Sequence, residues 1–203
     1  MNLKEIIDYT EKNQEIIWNN SDFIYGIDEE YKKYLTNFSF PQGKVCGYFT
    51  LIHNVIKNLP EDAIIVELGN REGMSTLAIY DSLKPKQKFY TIDIVQDLRL
   101  LPKKFFEDDR VNIVYDNCTN PNVLSMFLNN SIDFLFSDTI HHYHQISKEF
   151  DVYKNKMKNN SLLFVDDIKI NDKGKFFDEW IGEKYSLDSW AHESGFGCFK
   201  IKN

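Results

Sequence analysis

The sequence predicts an α/β protein built on a mostly parallel sheet with helices on both faces. Three observations carry this. From residue 63 onward, short apolar runs alternate with helical stretches: AIIVEL (63–68), KFYTIDI (88–94), VNIVY (111–115), IDFLFSD (132–138) and SLLFVDD (161–167). AIIVEL is almost continuously apolar, as strands buried on both faces are. Near the end, two apolar-aromatic runs, 185–192 and 196–201, flank Glu193-Ser194-Gly195. That pattern predicts a hairpin, with an antiparallel pair closing one sheet edge.

The remaining elements follow in order. Residues 1–45 read as helices and loops, with Ile6, Ile7, Tyr9 and Ile16, Ile17, Trp18 set among Glu, Lys and Asn as on amphipathic helices. FSFPQG (38–43) is a break carrying Pro41 and Gly43. Residues 45–59 predict one helix, with Tyr48, Leu51, Ile52, Val55, Ile56 and Leu59 on one face. Leu59-Pro60 ends it. A turn with two glycines follows the first strand, then a helix over 74–83. Further helices are expected near 97–108, over 123–128 and over 144–158. The chain thus divides into an N-terminal helical part, 1–62, and a ligand-binding sheet, 63–203, within one compact unit.

Length and charge bound the function. The 203 residues carry 24 Lys+Arg against 31 Asp+Glu, a formal charge of −7. This size suits one domain with a proper core. The acidic balance argues against holding nucleic-acid phosphates, which needs a basic face. Arg71, Arg99 and Arg110 are the only arginines, so forked phosphate clamps are scarce. No apolar run approaches the ~18–20 residues of a membrane helix, and MNLKEIIDYT lacks a signal-peptide core. Cys46, Cys118 and Cys198 form no CxxC and read as free thiols of a reducing compartment. The expectation is a cytoplasmic protein with neither nucleic-acid nor membrane partners.

In an open α/β sheet, ligands bind beyond the carboxyl ends of the strands. After the first strand stands Glu67-Leu68-Gly69-Asn70-Arg71-Glu72-Gly73-Met74-Ser75-Thr76. Gly69 and Gly73 permit a tight turn and close backbone approach, and Ser75 or Thr76 opens the next helix. A plain strand-to-helix turn needs the same glycines. The turn is not GxGxxG, because Arg71 holds the second glycine position, nor GxxxxGK[ST]. Asp93 ends the second strand, where a carboxylate accepts from a ribose diol. A surface acid at a strand end reads equally there. Asn117 follows the third strand, where a short polar side chain meets an adenine edge.

VELGNREGMST, TIDI and RVNIVYDN together resemble the cofactor half of class I S-adenosylmethionine-dependent methyltransferases, in the variant whose first loop reads ExGxxxGxS. The resemblance runs from about residue 42 to the end, including the terminal hairpin. It implies a Rossmann-like sheet, S-adenosylmethionine as cofactor and S-adenosylhomocysteine as product. Glu67, Gly69, Gly73, Ser75, Asp93 and Asn117 match the pattern. The loop backbone and Glu67 would then hold the methionine part, Asp93 the ribose, and Asn117 the adenine, where the family has Asp. Asn70 within the loop and Asp138 after the fourth strand are assigned to the same cofactor.

The fourth strand ends in Asp138-Thr139-Ile140-His141-His142-Tyr143-His144 and the fifth in Asp166-Asp167. As neighbours, these strands would bring three carboxylates to one rim, where they repel unless a cation sits among them. Oxygen ligands select Mg²⁺ or a similar hard ion. The other reading is that Asp166 or Asp167 caps the next segment and Asp138 stands alone. DTIHHYH resembles the DGxHxYE stretch of metal-dependent O-methyltransferases acting on macrolide sugars and their cephalosporin-biosynthesis relatives. That resemblance implies Asp138, Asp166 and Asp167 as metal ligands and His141 as general base. Thr139 and Ile140 depart from it, in place of Gly and a polar residue. A divalent ion would stabilise an alkoxide as it forms, and an imidazole of ordinary pKa near 6.5 can take its proton.

Some residues admit no sharper role. His142 and His144 read as helix-start polar residues, since no third soft ligand completes a zinc site. Trp18, Phe23, Tyr25, Tyr31 and Tyr34 either cap an acceptor pocket or belong to a core, and Trp180, Trp190 and Phe196 pose the same choice. Gln42-Gly43-Lys44 takes no assigned role.

The expected activity is therefore divalent-metal-assisted O-methylation of a small hydroxylated acceptor, such as a sugar or glycan unit. The alternatives are a metal-independent methyltransferase of the same fold, acting on oxygen or on nitrogen of its acceptor, a nicotinamide-dependent reductase, and a binding protein that keeps the cofactor site. N-terminal helices of such enzymes often join dimers, which leaves a homodimer open.

Overall fold

The structure is a computed structural model that describes residues 2–13 and 47–202. Trp18, Phe23, Tyr25, Tyr31, Tyr34, the Gln42-Gly43-Lys44 segment and Cys46 lie outside the described residues, as does the helix read around Ile16–Trp18.

The described elements are α1 (Leu3–Lys12), α2 (Tyr48–Asn58), β1 (Ile64–Leu68), α3 (Met74–Ser82), β2 (Lys88–Asp93), α4 (Lys103–Phe106) and β3 (Val111–Tyr115), followed by α5 (Pro121–Leu124), β4 (Ile132–Ser137), α6 (Tyr143–Tyr153), β5 (Met157–Asp166), α7 (Gly174–Glu179), β6 (Lys184–Ser186) and β7 (Phe196–Lys200). The seven strands form one sheet in the order β3-β2-β1-β4-β5-β7-β6. β1 pairs in parallel with β2 and β4, β2 with β3, and β4 with β5. β7 runs antiparallel to both β5 and β6, so it alone is reversed. This is the Rossmann-like class I methyltransferase architecture expected from the sequence.

Strand alternation builds the layers. Ile65, Phe89, Phe134, Phe136, Phe164, Phe196 and Cys198 face one side, with α1, α2 and α3 packed on them. Val66, Leu68, Ile92, Leu135, Leu163, Val165 and Phe199 face the other, under Val123, Ile146, Tyr153 and Phe176. Leu3, Ile6 and Ile7 of α1 belong to the first of these cores, so the described part of 1–62 shares its apolar core with the sheet. Trp190 and Phe196 are buried there, and Trp180 packs on Phe150 and Phe199. Cys118 and Cys198 are free and buried.

Five elements differ from expectation, each for a local reason. The helix expected near 97–108 shrinks to α4. Leu98 and Leu101 are buried while Leu100 N–H bonds the Glu72 carbonyl, so this segment serves the first turn, and Pro102 opens the short helix. The helix over 123–128 becomes α5, set earlier by the Asn120 cap and Pro121. α6 stops at Tyr153, and β5 starts at Met157 because buried Met157 pairs with Ile132 and Lys158 Nζ reaches Asp133 at 2.8 Å. The run 185–192 is a strand only to Ser186. The carbonyls of Trp190 and Ala191 instead accept from Gly47 and Tyr48 at the start of α2, which draws the chain off the sheet. A Cβ at Gly47 would stand 2.6 Å from the Trp190 oxygen, so that contact needs glycine.

Candidate functional site

The carboxyl ends of β1, β2, β4 and β5 lie level, and a cavity of about 980 Å³ opens beyond them. It sits where the strand order reverses between β1 and β4, the position an open α/β sheet offers to ligands.

The first turn closes one side. Gly69 (φ +84°) and Gly73 (φ +97°) both adopt left-handed conformations. A Cβ at Gly69 would lie 2.0 Å from the Asp138 carbonyl oxygen, so the β1 turn rests on the backbone leaving β4. Asn70 and Ser75 line the cavity. Asn70 is buried, its Nδ2 donates to Thr91 Oγ1 at 2.9 Å, and its Oδ1 accepts from no described group.

Glu67 is placed differently from the resemblance. It shares the face of Ile65, lies beside Thr91 on β2, and is fully buried below the turn. Ser75, Thr76 and Thr91 donate their hydroxyls to its two oxygens at 2.6–2.7 Å. Glu67 does not line the cavity; it fixes the start of α3. Burial raises its pKa from 4.5 to about 7, against those hydroxyl bonds and with help from nearby Asp93. A carboxyl raised this way holds its proton longer folded than unfolded. Its contribution is fully present below pH 4.5 and is lost as pH rises to about 7, a change of roughly 3 kcal/mol. Urea unfolding of wild type and Glu67→Gln between pH 4.5 and 8 should therefore show wild type losing stability relative to the variant as pH rises. A constant difference would contradict this reading.

Asp93 pins the turn from β2. Its Oδ2 accepts from the Asn70 and Arg71 amides at 2.8 and 3.1 Å, and its Oδ1 from Val95 N–H at 2.9 Å. Exposed Ile94 and Val95 extend beside it into the cavity wall. Asn117 also lines the cavity, but its Oδ1 accepts from Thr119 N–H and Oγ1, both at 2.9 Å. Only its Nδ2 is then left to meet an adenine edge.

The opposite wall comes from β4 and β5. Asp138, His141, Asp166 and Asp167 all line it, together with His192 from the loop before β7. His141 Nε2 lies 3.0 Å from Asp167 Oδ2 and 3.9 Å from Asp138 Oδ1. His192 Nδ1 lies 2.8 Å from Asp166 Oδ1 and 3.5 Å from Asp167 Oδ1. The pKa of Asp138 is raised well above the carboxylate range by burial and the Asp166 charge, and Asp167 is raised by the same two causes. For His192, burial opposes protonation, yet the three aspartates outweigh it and its pKa rises.

Two residues that the sequence did not single out shape this wall, His192 in its lining and Glu149 buried behind it. His192 carries no motif. Glu149 is buried, and accepts from Ser137 Oγ, Thr139 Oγ1 and Gln145 Nε2, each at 2.7 Å. It thereby ties the loop bearing His141 to α6. Its signal was a charge on the apolar stripe Ile146–Glu149–Tyr153. His142 keeps its helix-start role, with Nδ1 3.3 Å from Asp172.

The groups implied by the resemblance fare differently. A cationic sulfonium and ammonium suit this cavity: the wall is acidic, Asn70 Oδ1 is a buried acceptor awaiting a donor, and the two glycines leave the turn backbone open. For a divalent ion, the three aspartates are divided between two donor groups that share Asp167. Among the described residues, the donor atoms cluster as Asp138–His141–Asp167 and as Asp166–Asp167–His192. Each group contains a histidine and neither contains all three aspartates, because His192 engages Asp166 and His141 engages Asp167.

A family model described as a methyltransferase domain matches residues 66–168. No curated protein matches the chain significantly. Among solved structures, a methyltransferase from Geobacter sulfurreducens superposes with a TM-score of 0.65 at 11% identity, covering 100% of both chains. The S-adenosylhomocysteine-bound methyltransferase PaMTH1 from Podospora anserina gives 0.59 at 15% identity over 98% of this chain and 95% of that one. The O-methyltransferase TomG from Streptomyces achromogenes gives 0.58 at 12% identity, with 100% of both covered. At these identities the likeness is one of fold. No helix among the described residues is long and apolar enough to cross a membrane.

Proposed function

This chain belongs to the methyltransferase-domain family as an S-adenosylmethionine-dependent methyltransferase, and on that footing we propose that it methylates a hydroxyl of a small, uncharged acceptor such as a sugar unit, with His141 as general base. The observation that carries this reading is the His141–Asp167 contact of 3.0 Å in the wall of the cavity that the β1 turn also lines.

When bound, S-adenosylmethionine supplies an electrophilic methyl group. Asp93, the Gly69–Gly73 backbone and Asn70 Oδ1 are the groups available to hold it. The Asp167 carboxylate, 3.0 Å from Nε2, favours the tautomer that carries its proton on Nε2 and leaves the Nδ1 lone pair free. Nδ1 takes the proton of the acceptor hydroxyl, and Asp167 stabilises the imidazolium that results. Much of the remaining rate enhancement is positioning.

Charge selects the acceptor class. Glu72, Asp93, Asp97, Asp116, Asp166 and Asp167 line the cavity, against Arg71 as the only arginine or lysine among the described residues of its wall. Arg71 itself lies 3.3 Å from Glu72. Residues 14–46 hold Glu15, Asp22, Asp28, Glu29 and Glu30 against Lys32, Lys33 and Lys44, a net acidic segment. Sugar phosphates, nucleotide sugars and acyl-CoA thioesters would meet a repelling field, whereas neutral polyols would not. With methyl-labelled S-adenosylmethionine, neutral glycosides should be turned over with kcat/KM at least about tenfold above their phosphorylated counterparts, the label appearing as an ether. A preference for the anionic acceptors would overturn this assignment.

A further inference from the structure

Gln145, Glu149 and Tyr153 stand four residues apart on α6, and therefore on one face of the helix. Glu149 is buried, and a buried carboxylate needs donors for its lone pairs. Those donors come from two loops. From the end of β4 and the loop that carries His141, Ser137 Oγ donates to Oε2 and Thr139 Oγ1 to Oε1, each at 2.7 Å. From the loop after β3, Cys118 Sγ donates to Oε1 at 3.5 Å. Gln145 Nε2 completes the set from one turn back, at 2.7 Å. Fully buried Tyr153 then donates its hydroxyl to the Cys118 carbonyl at 2.9 Å. Cys118, Thr139 and Gln145 all line the cavity, as Asn117 and His141 do, while Glu149 and Tyr153 stand behind it.

The loop after β3 is otherwise braced internally. Asn117 Oδ1 accepts from Thr119 Oγ1 at 2.9 Å, and Asn120 Nδ2 donates to Asp116 at 3.0 Å. Among the described residues, its side-chain bonds to α6 both fall on Cys118. We propose, resting on the methyl-transfer reading above, that Glu149 is a positioning residue: with Tyr153 it holds the loop beside the adenine and the loop that carries His141 at a fixed spacing. One oxygen, Oε1, accepts from both loops, so neither loop shifts without loosening the bond of the other. Glu149 thereby governs cofactor affinity and base placement together, whereas Asp93 serves the first and His141 the second. A displacement of about 1 Å at a base costs up to about 10²-fold in rate, so a buried tie of this kind matters without touching the acceptor.

The test joins kinetics, S-adenosylhomocysteine calorimetry and amide hydrogen exchange on the full chain. Glu149→Met removes every acceptor and should lower turnover about 10–100-fold and S-adenosylhomocysteine affinity at least about fivefold. In a His141→Ala background it should cost affinity but no further turnover, because its effect on rate runs through the base. Glu149→Gln keeps one oxygen for Thr139 and Gln145, and Ser137 can turn to accept from the new amide, so it should recover most of both losses. Thr139→Val should lower kcat alone, and Tyr153→Phe should weaken cofactor binding alone. Glu149→Met should also speed exchange over 116–120 and 139–142 together and leave 69–73 as in wild type. Additive losses with His141→Ala, or faster exchange in one loop or neither, would overturn the proposal. If Glu149→Met does not fold, the split between Thr139→Val and Tyr153→Phe decides, and both variants matching wild type would overturn it. Failure of wild type to bind S-adenosylhomocysteine would strike at the methyl-transfer reading, and the exchange result would still judge the tie.

Discussion

Replacing His141 with alanine is expected to lower turnover roughly 10²–10⁴-fold, the usual contribution of a positioned general base, while S-adenosylhomocysteine binding persists. The separation of the two effects is the informative part. His141 sits on the loop after β4, held through Thr139 and Gln145 by the buried Glu149. It is not among the hydrogen-bond partners of the Gly69–Gly73 turn or of Asp93. Removing the imidazole therefore leaves the cofactor side intact and takes away the acceptor of the hydroxyl proton. Single-turnover kinetics with methyl-labelled S-adenosylmethionine, beside calorimetry, measures both. Unchanged turnover would remove His141 from its role. Loss of both together would mean that the loop, rather than the base, had failed.

Asp93→Ala should do the reverse and abolish measurable S-adenosylhomocysteine binding, a loss of at least about 10²-fold. Hydrogen bonds to a charged group are worth about 1.5–3 kcal/mol each. Asp93 accepts three from the backbone, two of them from the turn itself at Asn70 and Arg71. The substitution removes a carboxylate for the ribose diol and at the same time frees the turn that bears Asn70 and Gly73. Calorimetry on the variant, with circular dichroism to show that it is folded, checks this. Affinity within a few-fold of wild type would mean that the ribose is held elsewhere.

The strand ends were legible in the sequence because five apolar runs place their last residues at one edge, and right-handed crossovers leave little choice of order. Gly69 was legible as a turn glycine, but its contact with Asp138 was not, since it depends on how the neighbouring strand end lies. Glu67 looked like a ligand because it precedes the turn. Alternation turns it instead toward α3 and Thr91, and the register that brings Thr91 beside it is visible only once β1 and β2 pair. A carboxylate inside an apolar run, like Glu149 on an apolar helix stripe, signals a buried anchor as readily as a binding group. His192 lies 26 residues beyond Asp166, in a segment that looked like a strand. Its place depends on the carbonyls of Trp190 and Ala191 being spent on α2. Lys173, which is completely buried, is indistinguishable by sequence from Lys169 and Lys175, both of which pair with acids at 52–63% side-chain exposure.

A single cavity serves both halves of the rim, the β1 turn with Asp93 on one side and the His141–Asp167 pair on the other. A crystal structure of the protein with S-adenosylhomocysteine tests this most directly. The ribose is expected at Asp93, the amino-acid portion along Gly69–Gly73, and the sulfur turned toward His141, with room for one acceptor oxygen between them. A sulfur turned away from His141, or an adenosine seated against Asp138 and Asp167, would contradict it.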